Sequence, residues 1–296
     1  MLKCLVVGGA GFIGSNLVEK LVENKHDVVV IDNLFFGTKD NLKAVEDKIQ
    51  FYQTDLTKAH KNSLFQDKKF DFVFLMGNYS SAPMFYTDTR DRIDETLKDF
   101  LYALELAKDN KAKFIYASSS SIQGPRTYYS GIRETYEILA SMYYVETGLN
   151  SIGFRFFSIY GGDKYHETHK TKYANVISQF YWKFKEGKNF EIFGDGSQSR
   201  DFIHVLDVVE ATVKAMEYDK PGAFVFEVGT EIDHSFNDIF QMLTKVMKLD
   251  FKPIYIVNPI KNYVQKTLST ESKETMKELN WKPKISLKDG ISMMVD

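Results

Sequence analysis

Short apolar runs alternate with amphipathic stretches along the first half of the chain. Residues 3–7, 27–31, 49–53, 71–76, 112–117 and 151–156 read as strands. Between them, residues 12–23 place Ile13, Leu17, Val18, Leu21 and Val22 on one helical face. Residues 92–110 do the same with Ile93, Leu97, Leu101, Leu104 and Leu106, and a third helix runs from about 129 to 146. Strands alternating with helices from residue 2 to about 115 predict a parallel sheet with crossover helices. After residue 160 the pattern changes. It predicts a helix over 173–185, a short strand over 191–193 and a helix over 208–218 opened by Asp207. Ser235 and Asp238 form a capping box for a helix over 236–248, and a last helix over 273–279 ends before Pro283.

One junction in this pattern carries chemistry. The first strand meets Gly8-Gly9-Ala10-Gly11-Phe12-Ile13-Gly14, and a helix follows at once. Gly8 permits a tight turn, Gly11 lets a pyrophosphate approach the backbone, and Gly14 lets the helix pack closely. The free amides and positive dipole end of the helix then face the phosphates. Asp32 closes the second strand, where a carboxylate accepts hydrogen bonds from both adenosine ribose hydroxyls and repels a 2′-phosphate. NAD is therefore favoured over NADP. Thr54-Asp55-Leu56 ends the third strand in position to contact adenine, with capping of the next turn the lesser alternative for Asp55.

Further polar loops follow strands four and five: Gly77-Asn78-Tyr79-Ser80-Ser81-Ala82-Pro83 and Ser118-Ser119-Ser120-Ser121. Tyr129 and Arg133, four apart, share one side of a helix. A guanidinium beside a phenol favours the phenolate, which suits a general base for a sugar hydroxyl. On spacing alone, an exposed Tyr–Arg contact is the commoner arrangement. Arg200, after the Gly194-Asp195-Gly196 turn, has the charged fork that grips a diphosphate, or is simply solvated. His166 and His169 have metal-ligand spacing, but no Cys or carboxylate set completes a site, so solvated histidines are expected and no metal.

Composition narrows the setting. The 296 residues suffice for a large core, 44% are hydrophobic and 26% charged, and the net charge of −2 gives no argument for nucleic acid. No apolar run approaches the ~20 residues that span a bilayer. The chain opens directly on a strand, with nothing shaped like a signal peptide, and its single Cys4 lies in that strand. A cytoplasmic protein is expected.

Together these residues resemble the extended short-chain dehydrogenase/reductases, in the NAD-dependent epimerase/dehydratase group acting on nucleotide sugars. The resemblance rests on residues 8–14, Asp32-Asn33-Leu34, Asp55-Leu56, residues 118–124 and Tyr129-x-x-x-Arg133-x-x-x-Glu137. It extends through 155–161, 193–205 and the ending Glu278-Leu279-Asn280-Trp281-Lys282-Pro283, and is nearest the UDP-glucose 4-epimerase branch. It implies an α/β fold with a Rossmann-type, doubly wound parallel sheet and a smaller C-terminal α/β part. Residues 1–165 with part of 200–230 would bind NAD, and 166–296 the nucleotide-diphosphate sugar. Tyr129 matches the catalytic tyrosine and Ser119 the hydroxyl that assists it, with Ser120 its rival in the serine run. Arg133 stands where the family has the lysine that binds the nicotinamide ribose. The resemblance also places Gly8, Gly11, Phe12, Ile13, Gly14, Asp32, Asn33, Asp55 and Leu56 at the cofactor, and Ser158, Arg200 and Lys261 at the substrate. It implies a homodimer through helices about 92–110 and 129–147, and polysaccharide synthesis as the setting.

The departures matter as much. Arg replaces the family lysine, and only Pro125 to Tyr128 separate Gly124 from Tyr129, where relatives carry about twenty residues that close over the sugar. Ser158 replaces a substrate-contacting Asn. Oxidoreduction at C4 of the sugar is expected, as 4-epimerase or net 4-dehydrogenase. A ketosugar reductase and an inactive cofactor-binding scaffold or sensor are the alternatives. A 4,6-dehydratase would need an acid–base pair where Ser120 and Ser121 stand.

Overall fold

The computed structural model describes residues 1–258 and 266–295. Its centre is a seven-stranded sheet built from β1 (Lys3–Val7), β2 (Asp27–Asp32), β3 (Ile49–Gln53), β4 (Phe72–Leu75), β5 (Lys113–Ala117), β6 (Ser151–Phe156) and β10 (Ala223–Val228). The order is β10-β6-β5-β4-β1-β2-β3, with every pair parallel. The inner strands β1, β2, β4 and β5, covered on both faces, carry continuous apolar runs rather than alternating ones: Leu5, Val28, Val73 and Phe114 are all fully buried. The expected α/β doubly wound parallel sheet is what the chain forms.

Helices cover both faces. On one side α1 (Phe12–Glu23) packs with α6 (Val205–Lys214) over Val6, Val30, Ile115 and Phe154. On the other lie α2 (Leu56–Lys61), α3 (Thr89–Asn110) and α4 (Tyr128–Thr147), over Leu5, Val29, Val73 and Phe114. A third core, around Phe180, Phe240 and Ile291, belongs to the C-terminal elements α5 (Val176–Lys185), α7 (Phe236–Val246) and α9 (Leu287–Val295). Small strands complete this part: β7 (Ser158–Tyr160), β8 (Glu191–Phe193), β9 (Ser199–His204), β11 (Asp233–Ser235), β12 (Ile254–Ile256) and β13 (Lys266–Thr267). The remaining helix is α8 (Ser272–Glu278).

Three local expectations change. α6 begins at Val205 because the His204 ring accepts from the Leu206 amide at 3.3 Å. Asp207 is not its cap; its buried carboxylate instead accepts from the Lys284 and Ile285 amides at 2.9 and 3.0 Å. α5 begins at Val176 rather than 173, capped by Asn175. The buried stripe of α3 is Thr96, Phe100, Ala103, Leu104 and Ala107, whereas Leu101 is exposed.

Candidate functional site

The turn after β1 is made by backbone fit. Gly8 has φ +78°, and a Cβ there would lie 2.2 Å from the Gly77 Cα; one on Gly14 would lie 2.1 Å from the Gly8 carbonyl oxygen. The close packing at Gly14 is thus between α1 and its own entry turn. At Gly11 a Cβ would meet Gly8 O alone, at 3.3 Å, so its outer side is open. Gly11 is the N-cap of α1, and no side chain caps it. Unpartnered first-turn amides therefore stand at the wall of a cavity of about 670 Å³ that Gly8, Gly11, Phe12 and Ile13 help to line. The cavity opens where β1 has β2 on one side and β4 on the other, the switch point of the strand order.

Asp32, Asn33, Asp55 and Leu56 line the same cavity. Asp32 is buried; it accepts from the Ala10 amide at 3.0 Å and the Leu34 amide at 2.8 Å. Burial raises its pKa, and those two bonds oppose the rise. Asp55 caps α2 through the Lys58 amide at 2.7 Å and pairs with the Lys58 ammonium at 3.0 Å. The capping role left open on the sequence is therefore present.

The other candidate residues stand outside this cavity wall. Tyr129 is the second residue of α4, whose entry is fixed by a reciprocal capping box between Thr127 and Ser130. Ser119 follows β5 and uses its hydroxyl oxygen to accept from the Ser121 amide at 3.2 Å, leaving its proton to donate. Ser120, also buried, begins the short 3₁₀ turn that follows. Arg133 connects these pieces. It is 3% exposed, donates to the Ala117 carbonyl and to the Tyr79 carbonyl at 2.9 Å each, and lies 5.2 Å over the Tyr129 ring and 5.0 Å over the Tyr136 ring. Both terminal nitrogens serve main-chain carbonyls, so the guanidinium fixes α4 to the end of β5 and to the loop after β4.

A second charged group backs the serine run, and spacing did not assign it a role. Glu137 accepts from Ser118 Oγ at 2.6 Å and makes a forked pair with Arg155 at 3.0 and 2.7 Å. Four residues apart from Arg133, it continues the same inward face of α4, which is the signal the sequence did carry.

Ser158 lies on β7 opposite Phe202 of β9, and Arg200 is two residues before Phe202 on β9. Arg200 donates to the Ser199 carbonyl at 2.7 Å and stacks 5.5 Å over the Phe236 ring; burial lowers its pKa to about 10. Lys261 lies outside the described residues. The two histidines are not solvated as expected. His166 Nε2 lies 3.0 Å from Glu19 Oε1, and His169 Nδ1 lies 3.1 Å from Asn41 Nδ2. Burial lowers the His169 pKa to about 4.

A glycine turn at the switch point of a parallel sheet, with an acid closing the second strand, defines a dinucleotide-binding protein. The model of the NAD dependent epimerase/dehydratase family matches residues 4–229, and the chain belongs to that family. NAD is its cofactor. Over 99% of its length it is 28% identical to a putative UDP-glucose 4-epimerase of Methanocaldococcus jannaschii, covering 97% of that protein. It is also 28% identical to UDP-glucuronic acid decarboxylase 1 of Arabidopsis thaliana, covering 99% of this chain and 69% of the relative. Among solved structures, a UDP-glucose 4-epimerase of Thermotoga maritima with UDP-glucose superposes with a TM-score of 0.91 at 29% identity, covering 99% and 97% of the two chains. These relatives are nucleotide-sugar enzymes, and the family reaches across epimerases and decarboxylases. No helix among the described residues is long and apolar enough to cross a membrane.

Proposed function

We propose that this protein oxidises and reduces C4 of a nucleotide-activated sugar, as a 4-epimerase or a net 4-dehydrogenase. The observation that carries the reading is the Arg133 clamp: it holds Tyr129, at the start of α4, to the carboxyl end of β5, two residues before Ser119. In this reading Tyr129 Oη takes the proton of the C4 hydroxyl, and Ser119 Oγ donates to the same oxygen. Bound NAD supplies the hydride acceptor and, on the return, the donor. The described residues fit it: open backbone at Gly11, uncapped amides on α1, and Asp32 at the place of the adenosine ribose.

Arg200 and Ser158 are proposed for the sugar diphosphate, which the charged fork suits. Relatives named for UDP-glucose and UDP-glucuronic acid support a UDP-sugar. Leu101 on α3 and Ile138, Met142 and Val145 on α4 are exposed large apolar residues, which supports a homodimer through these helices. A role in surface polysaccharide synthesis in the cytoplasm accords with this chemistry.

The test is incubation with a panel of UDP- and GDP-sugars, followed by absorbance and sugar NMR. A C4 epimer with unchanged cofactor identifies an epimerase, and a 4-keto sugar with NADH identifies a dehydrogenase. No change in any sugar, with NAD bound, would leave the scaffold reading in its place.

A further inference from the structure

One wall of the NAD cavity is not explained by the glycine motif. It comes from His169 and Lys170, in the segment 163–173 between β7 and α5, which runs back across α1. Asn16 Nδ2 donates to the Tyr165 carbonyl at 2.9 Å, and His166 and His169 meet Glu19 and Asn41 as described. The base of the segment is fixed by Glu167, which is fully buried. Its carboxylate accepts from the amides of Gly161, Gly162 and Asn175 and from the Ser178 hydroxyl.

Between these anchors His169 and Lys170 line the cavity together with Gly11, Phe12 and Ile13. Lys170 Nζ lies 5.6 Å from the centre of the Phe12 ring. Phe12 is the first residue of α1, so the ammonium stands beside the helix end that receives a phosphate. Of the four other lysine and arginine residues on the cavity wall, Lys58 pairs with Asp55, Arg92 with Asp88 and Lys98 with Asp94, while Lys61 is the last residue of α2, away from the start of α1. Lys170 makes no ion pair with a described residue. Its neighbour His169 is neutral at pH 7, because burial opposes its protonation, and so anchors the segment without adding charge.

We infer that Lys170 binds the diphosphate of NAD, so that the segment between β7 and α5 holds the cofactor beside the start of α1. The amides of α1 and the ammonium of Lys170 then bracket one doubly charged group. The segment that carries Lys170 also ends at Asn175, the cap of α5, which ties retention of NAD to the part of the fold proposed for the sugar.

The experiment is calorimetric titration of the nucleotide-stripped full chain with NAD, ADP-ribose and adenosine, for wild type, Lys170→Met and Lys170→Arg. Lys170→Met should weaken NAD and ADP-ribose about tenfold each, the scale of one charge-assisted hydrogen bond, and leave adenosine unchanged. Lys170→Arg should recover most of the loss. Unchanged NAD affinity in Lys170→Met overturns the inference. Equal weakening of adenosine also overturns it, because the residue would then merely hold the segment in place. These binding readouts do not depend on which sugar reaction the protein catalyses.

Discussion

The cofactor side of this molecule and the side proposed for the sugar are built from different materials. On the cofactor side the site is backbone: a left-handed Gly8, a bare Gly11, a Gly14 pressed on Gly8, and the amides of α1. On the side proposed for the sugar it is side chains, and several of them already hold groups of the protein itself. Arg133 serves two carbonyls, Ser119 holds Ser121, and Arg200 donates to Ser199. A backbone site tolerates few sequences and changes slowly. A side-chain site is altered by one substitution.

The comparison is broken most sharply by Tyr129→Phe. If the sugar side acts through this hydroxyl, kcat falls by a factor of about 10²–10⁴ while NAD remains bound. Near wild-type turnover in that variant would refute the assigned base. Gly8→Ala tests the other side. With φ +78° and Gly77 2.2 Å away, the new methyl has no room, and a cost of more than about 2 kcal/mol is expected. NAD should then no longer raise the melting temperature.

Arg133 gives an intermediate effect that separates structure from chemistry. Arg133→Met orphans two buried carbonyls and should destabilise the fold by about 3 kcal/mol in urea melts. Arg133→Lys can satisfy one of the two, with about 1–2 kcal/mol lost, and should keep or raise activity at low temperature. Complete loss of turnover in a well-folded Arg133→Lys variant would show that the fork itself is required.

Acid should act through buried histidine. The His204 pKa is lowered from 6.5 to about 4 by burial, so between those values the unfolded chain binds a proton that the folded chain refuses. Stability is full above pH 6.5 and is lost as pH falls toward 4. Urea melts at pH 7.5 and 5 measure this, and His204→Phe should flatten the slope. The smallest effect on turnover is expected from Val145→Glu. Val145 is 79% exposed, and the charge should shift the protein toward monomer in sedimentation while the active site is left intact.

The two sides also differed in legibility. Strand boundaries at 3–7, 49–53 and 151–156 and the helix over 12–23 coincide with the structure, because period and glycine position act locally. Helix spacing correctly joined Tyr129 to Arg133. It could not show that Arg133 turns inward, since its partner Tyr79 lies 54 residues away. The sequence reads His166 and His169 as solvated because their partners, Glu19 and Asn41, are 147 and 128 residues distant. The sequence starts α6 three residues late, at 208 instead of Val205, because Asp207 has the chemistry of a cap, and only the fold reveals that residues 284–285 claim it. Glu167 and Asp201 were missed for the same reason. Each is a fully buried carboxylate whose donors come from remote or irregular backbone, such as Thr230 and Glu231 on Asp201.

Glu167 has a consequence for how such a protein can be re-engineered. One carboxylate fixes both ends of a chain segment, at Gly161–Gly162 and at Asn175. What lies between is then a cassette with its ends pinned to a single point. Exchanges at 168–173 leave the Glu167 hydrogen bonds to β7 and α5 in place. A library confined to 168–173 would sample new ways of gripping the nucleotide on an otherwise unchanged enzyme.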